Sequence, residues 1–165
     1  MTFHSIVRQW CRIYRPMQDS PKNRRFYLTD STSGVVELAK GIANSFSPCV
    51  VMESSVEGYV DNGYIYRNYP VYFFVRARDM ADGDAAAEAK EKAWVHAQNF
   101  LTYLKNLHEN DPTPTREYDR IDLENNIEMQ TIGPIENGWF AVLIQLERQE
   151  SLDLCVNEDM YVECP

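Results

Sequence analysis

The sequence has few of the features that mark an enzyme, a cofactor-binding protein or a membrane protein. Its seven glycines form no G-x-G-x-x-G, no P-loop and no G-x-S-x-G. The usual signatures of phosphate-binding loops and hydrolase nucleophiles are therefore missing. The longest apolar runs, VYFFV and WFAVLI, are far shorter than the ~20 residues that cross a bilayer. We expect a non-enzymatic protein with no cofactor and no membrane partner.

Residues that bind metals are also sparse. The four cysteines are scattered and form no C-x-x-C, so neither a zinc ribbon nor a thioredoxin-like site is indicated. His96 and His108 share one predicted helix, but a spacing of twelve residues separates them by roughly 18 Å. We expect no metal site, and buried free thiols rather than disulfides. The even number of cysteines leaves one or two disulfides open.

The sequence does have an uneven distribution of charge. The formal net charge is −9. Residues 1–30 contain six basic and two acidic side chains, a charge of +4, which leaves −13 for the other 135 residues. A basic head on an acidic body favours contact between the two, within one chain or between copies. The acidic body is a poor candidate for gripping a phosphate backbone, so we expect no sequence-specific nucleic-acid binding.

The start of the chain predicts an amphipathic helix that ends at Pro16. Its apolar stripe has helical spacing and consists of Phe3, Ile6, Val7, Trp10, Ile13 and Tyr14. Three alternatives are open: docking on its own chain or a neighbouring subunit, lying in a membrane interface, or acting as a targeting presequence. We expect docking between subunits, with Ile6, Trp10, Ile13 and Tyr14 as candidate interface residues.

Two further helices are predicted. The first runs from about Ser33 to Phe46, with Ser33 as its N-cap. The second runs from about Asp82 to His108, with Asp84 as its cap, and small and large apolar residues recur along it at spacings of three and four. This long helix is expected to cover a sheet.

Two β-hairpins complete the pattern. Each has an Asn-Gly pair that favours a type I′ turn. The first hairpin joins a strand at residues 49–60 to one that begins at Tyr64, and the second joins residues 121–132 to a strand after Gly138. A short strand is also possible at the sequence FYLT, and Pro70 marks a bend, a bulge or an edge position.

The expected fold is α+β, with a mostly antiparallel sheet of two hairpins packed on one long helix and additional N-terminal helices. We divide the chain into three parts. Residues 1–32 form the basic helix and a connection, residues 33–152 form the core domain, and residues 153–165 form an acidic tail.

From Val71 onward, the strand that begins at Tyr64 is apolar on both faces until one face ends in two arginines. A strand covered on one face only should alternate apolar and polar residues. Contiguous apolar surface usually marks an interface. We interpret the second face as a subunit contact rather than a ligand site, with Tyr72, Phe74, Arg76 and Arg78 as candidates.

The strand predicted at residues 121–132 alternates strictly, and one of its faces carries Asp122, Glu124 and Glu128. Such a series is typical of a solvated strand face. The functional alternative is an acidic surface within an assembly.

The order of elements over residues 33–150, in an acidic chain without catalytic signatures, resembles the tail-terminator, tail-completion and head–tail neck (connector) proteins of bacteriophages. The resemblance implies a structural subunit of the virion, assembled in the host cytoplasm. Such subunits form rings, commonly hexameric or dodecameric, around a DNA channel, and contact neighbouring virion proteins. In that setting Asp122, Glu124 and Glu128 are candidates for an acidic channel face that lets DNA pass without sticking.

Two other classes remain open. The chain also resembles acidic secretion chaperones, which are dimeric α/β adaptors that bind an unfolded partner segment. An enzyme or small-molecule carrier would instead need a pocket between the sheet and the long helix. Solution mass distinguishes a ring, a dimer and a monomer.

Overall fold

The computed structural model describes residues 2–54, 57–110, 121–124 and 127–151. The helices are α1 (Phe3–Ile13), α2 (Thr32–Gly41) and α3 (Gly83–Asn110). The strands are β1 (Phe26–Thr29), β2 (Cys49–Glu53), β3 (Gly58–Asp61), β4 (Tyr64–Arg76), β5 (Met129–Ile135) and β6 (Trp139–Ser151). A short 3-10 turn occupies Asn44–Phe46. These elements confirm the α+β class and the short strand at FYLT.

The six strands form one sheet in the order β1-β2-β4-β6-β5, and β3 pairs with β4 beside β2. β1 and β2 are parallel, and all other pairs are antiparallel. β4 and β6 are each 13 residues long and pair from Tyr64 opposite Ser151 to Arg76 opposite Trp139. Both are rich in aromatic and branched residues, which favour strands. The sheet is mostly antiparallel, as predicted.

Helices cover both faces of this sheet. On one face, α1 and α3 pack against alternate residues of β4 and β6, including Val71, Phe73 and Val142. On the other face, α2 covers Tyr72 and Phe74. Successive residues of a strand point to opposite faces, so a strand buried between two helical layers must be apolar on both. The double-sided hydrophobicity of β4 is therefore satisfied within the chain.

The long helix lies on the sheet, as predicted. Three alanines of α3, Ala89, Ala93 and Ala97, are buried and allow the helix to approach the strands closely. Phe100 and Leu104 continue the same stripe and are fully buried. No helix within the described ranges is long and apolar enough to cross a bilayer.

Both predicted hairpin turns are present. Asn62 and Gly63 have φ of 47° and 81°, and Asn137 and Gly138 have φ of 65° and 78°. Positive φ at both central residues is the requirement of a type I′ turn, which asparagine and glycine meet at low cost. These two turns fix the register of β3 with β4 and of β5 with β6.

Pro70 marks an edge position within β4. β2 pairs with residues 71–74 and β3 with residues 64–67 on the same edge of β4, so a gap separates the two shorter strands. The Asn68 N–H points to this edge, where it donates to Glu57 O at 2.8 Å. Residues two apart in a strand point their N–H groups the same way, so the missing N–H of Pro70 falls in the gap.

The predicted helix caps were each wrong by two residues. Ser31, rather than Ser33, caps α2, because its side chain accepts a hydrogen bond from the Gly34 N–H. Asp82, rather than Asp84, lies at the start of α3, where its Oδ1 accepts from the Asp84 N–H at 2.9 Å. Serine and aspartate suit these positions equally well wherever the helix begins, so residue type alone does not fix the cap.

Two predicted strands are shorter than expected. The strand at residues 49–60 is divided into β2 and β3. The strand at residues 121–132 is regular only from Met129; before it, Ile121 makes a single bridge to Arg148. Alternation of apolar and polar residues predicts a strand, but the described residues before Met129 follow the sheet edge without regular pairing. The acidic tail at residues 153–165 lies outside the described residues.

Candidate interaction surface

The apolar stripe of α1 packs on its own chain. Ile6 and Trp10 are 1% and 2% exposed. The Trp10 ring lies edge-on to Phe73 and Phe100, with centroids 5.8 and 5.2 Å away. This corrects the prediction that these side chains bind a neighbouring subunit, because they have no surface left for one. Ile13, by contrast, is 60% exposed.

Tyr14, the fourth candidate, follows the last residue of α1, is half-buried and contacts α3. Its ring stacks on Trp10 with centroids 4.4 Å apart. A hydrogen bond of 3.0 Å joins its hydroxyl to His96 Nδ1. Burial, with a smaller contribution from the Lys92 charge, lowers the pKa of His96 to about 4. The imidazole is therefore neutral at pH 7 and belongs to the packing of α1 on α3.

Tyr72 and Phe74 are buried beneath α2, which corrects their assignment to a subunit interface. Phe74 lies edge-on to Trp139, with centroids 6.2 Å apart. The Tyr72 hydroxyl donates to Glu53 Oε1 at 2.7 Å, and Thr32 donates to the same oxygen at 3.0 Å. Burial, together with this bond to Glu53, raises the pKa of Tyr72. The network fixes the start of α2 against the sheet.

Arg76 and Arg78 lie at the C-terminal end of β4 and line a cleft of about 540 Å³. We call this the basic cleft; its charged lining is Arg76, Arg78, Lys92 and Glu88, with His96 beside them. Arg76 Nε donates to Asn137 O at 2.6 Å, and Lys92 pairs with Glu88 at 2.6 Å. Three cations face one carboxylate, which gives the cleft a net positive charge.

The opposite end of β4 carries exposed aromatic and apolar side chains. We call residues 58–67 the hairpin arm. Tyr59, Val60 and Tyr64 are 50%, 61% and 40% exposed. Tyr59 stacks on Tyr66, with centroids 4.8 Å apart and planes 10° from parallel, and donates to Glu147 Oε2 at 3.1 Å. The arm therefore has a preformed aromatic surface, and none of the three helices that the structure describes covers it.

The hairpin arm has an acidic surround. Glu57 precedes β3, Asp61 ends it, and Glu147 lies beneath Tyr59. Arg67 is the basic residue of the arm. Arg148 and Lys105 also lie at this end, as do three further carboxylates, Glu109, Asp122 and Glu124. Six carboxylates against three cations give this end of the sheet a negative charge, opposite in sign to the basic cleft.

The candidate acidic series follows the outer edge of β6. The Asp122 N–H donates to Glu147 O at 3.0 Å, and the Gln145 N–H donates to Glu128 O at 3.3 Å. Glu124 and Glu128 are exposed and Asp122 is half-buried. The three side chains lie along one edge, although this segment is not the regular strand that the sequence predicted.

Two of the four cysteines can be located. Cys11 and Cys49 are buried free thiols, as expected. Burial raises the pKa of Cys49 to about 12, so it is not a reactive thiolate. Cys155 and Cys164 lie outside the described residues. Within the described parts of the chain, no three His, Cys, Asp or Glu side chains are grouped to hold a metal ion.

Sequence reasoning did not identify the hairpin arm or the basic cleft as surfaces. The Asn-Gly turn with aromatic residues on both sides was a signal for the arm. The cleft had no sequence signal, because it joins the end of β4 to a helix face that begins seven residues after Arg76.

No protein-family model matches the sequence, and no curated protein is significantly similar to it.

Proposed function

We propose that this chain is a non-enzymatic structural subunit that forms a ring with copies of itself. The ring is of the kind that completes a bacteriophage tail or connects head to tail around a DNA channel. The proposal joins the resemblance in element order to one observation: the two ends of β4 carry complementary surfaces. The hairpin arm is aromatic and acidic, whereas the basic cleft is positively charged.

The arm and the cleft are too far apart to meet within one chain. They lie at opposite ends of a 13-residue strand, which spans roughly 40 Å. Two different surfaces that recognise each other between copies make a head-to-tail contact. Such contacts close into a ring when the rotation between copies divides a full turn. A symmetric dimer would instead place one surface against itself.

Energy and orientation come from different parts of this contact. Tyr59, Val60 and Tyr64 supply exposed apolar area, which provides most of the affinity in protein interfaces. The opposite charges of the arm and the cleft bring the correct ends together and make the association sensitive to salt. The candidate channel residues Asp122, Glu124 and Glu128 remain on the edge of the sheet, beyond β6.

A charge placed on the hairpin arm tests this function. Val60→Asp adds a carboxylate to an acidic, exposed apolar position and should lower the assembly mass while leaving the far-ultraviolet circular dichroism unchanged. Val36→Asp, at a 39% exposed position on α2, is the matched control and should assemble like the parent. Light scattering gives the masses. If Val60→Asp assembles as fully as Val36→Asp, the arm is not the contact.

A further inference from the structure

We propose that the basic cleft is the binding site for the acidic C-terminal segment, residues 152–165, of an adjacent copy. This inference rests on the proposed self-assembly and extends the contact that the hairpin arm begins, because the segment leaves β6 at Ser151, opposite Tyr64 of the arm. Neither the fold nor the resemblance to ring-forming proteins assigns an occupant to this cleft.

The lining of the cleft suits an acidic peptide with apolar residues. Arg76, Arg78 and Lys92 supply positive charge, and Glu88 is paired with Lys92. Between these side chains the wall is small and apolar, formed by Val75, Ala77, Ala85, Ala89 and Pro48. A groove with a basic rim and an apolar wall recognises a segment in which acidic and apolar side chains are interspersed.

Neighbouring carboxylates do not neutralise the cleft. Asp79 Oδ1 accepts the Ala81 N–H at 2.9 Å, and Asp82 Oδ1 accepts the Asp84 N–H at 2.9 Å. Both side chains are therefore directed to the backbone ahead of α3. Neither lines the cleft.

The C-terminal segment has the complementary composition. It contains four acidic residues and no basic residue. Its acidic members are Asp153, Glu158, Asp159 and Glu163, and its large apolar members are Leu152, Leu154, Val156, Met160, Tyr161 and Val162. The charge of the segment is therefore opposite to that of the cleft.

Distance favours an adjacent copy over the segment's own chain. β6 ends at Ser151 opposite Tyr64, whereas the cleft lies beside Arg76 at the other end of β4. The separation is roughly 40 Å, and fourteen extended residues span at most ~50 Å. Within one chain, only the last few residues could reach the cleft. From a neighbour whose hairpin end faces the cleft, all four carboxylates are within reach.

A mixture of two complementary variants tests the contact. One variant ends at residue 151, so it keeps the cleft and lacks the segment. The other carries Arg76→Gln and Arg78→Glu, so it keeps the segment and loses the charge of the cleft. Each alone should stay monomeric, because the hairpin arm without the segment, or the segment without a charged cleft, does not complete the contact. Mixed, they should form a pair and stop there, because the pair retains neither a free segment nor an intact cleft. Sedimentation velocity measures all three samples.

The outcomes separate this inference from the proposed ring. A mixture without a pair overturns the inference. So does a parent-sized assembly formed by either variant alone, although that result would retain the ring. A pair in the mixture, with a parent that never exceeds two copies, would support the segment–cleft contact and overturn the ring.

A peptide experiment locates the contact. Peptide 152–165, kept reduced, is titrated into the ¹⁵N-labelled chain 1–151, and the amide shifts of Ala85 and Ala89 are followed by NMR. Arg78→Glu should weaken binding about tenfold. Lys105→Glu, the same charge change about 20 Å along α3 from Lys92, should leave binding unchanged. Equal binding by all three chains, or by a peptide with its four carboxylates replaced by amides, overturns the inference.

Discussion

Trp10 anchors α1 to the core of its own chain. Its indole stacks on Tyr14 and meets two phenylalanine rings edge-on, all from the same chain. Aromatic pairs of this geometry add to the stabilisation that comes from burial. A large aromatic residue on an amphipathic helix suits an intramolecular core as well as an interface. Only the position of its partners shows which of the two it serves.

Replacing Trp10 should therefore affect folding rather than assembly. Trp10→Ala leaves a cavity between α1, α3 and the sheet, and should lower the free energy of unfolding by about 3–5 kcal/mol. Ile13→Ala, on the exposed side of the same helix, should change it by less than about 0.5 kcal/mol. Urea denaturation followed by circular dichroism measures both. Similar losses for the two variants would mean that α1 is not buried on its own chain.

His96 should make the stability depend on pH. Its pKa is about 4 in the folded protein and 6.5 ordinarily, so the unfolded chain takes up the proton first as the pH falls. The contribution of His96 to the free energy of unfolding is fully present above pH 6.5. It decreases between pH 6.5 and 4, by about 3 kcal/mol in all. His96→Gln should reduce the slope of unfolding free energy against pH in that window. Identical slopes for the parent and His96→Gln would contradict the burial of a neutral imidazole.

At the scale of elements, the sequence was most informative where local chemistry decides the structure. The Asn-Gly pairs require positive φ, so both hairpin turns could be predicted. The alanine stripe of α3 required a closely packed surface. The prediction for the second face of β4 was wrong, because Tyr72 and Phe74 are compatible with coverage by a helix or by another subunit. The assignment depends on where α2 crosses the sheet, which is a long-range property.

The acidic edge segment gives a prediction at the same scale. Glu128 is exposed and makes no part of the core, so Glu128→Lys should fold and assemble like the parent. Glu124 is kept, because it lines the same groove as Tyr64 of the hairpin arm. The charge changes by +2 per subunit and is multiplied around a ring, so the variant assembly should retain double-stranded DNA at low salt while the parent does not. Electrophoretic mobility shift at two salt concentrations tests this. Equal retention by both assemblies would remove Glu128 from the channel.

In the molecule as a whole, the two ends of the sheet differ in charge and in exposed residue type. The helical layers use nearly all of the apolar surface of the central strands, and the remaining aromatic surface is concentrated at one end. The basic cleft lies at the other end. Neither end could be recognised from composition alone, because the overall charge of −9 conceals the difference between them. A molecule with two unlike, complementary ends is suited to head-to-tail assembly.

The mass of the parent in solution tests this account most directly. One chain is 19.2 kDa, so a closed ring of six or more copies should have a molar mass of about 115 kDa or above. Sedimentation equilibrium over a range of protein concentrations, at low and at high salt, gives this mass. A closed ring should give one discrete large species, with partial dissociation at high salt. A monomer at all concentrations, or a dimer of about 38 kDa as expected for a chaperone-like adaptor, would contradict it.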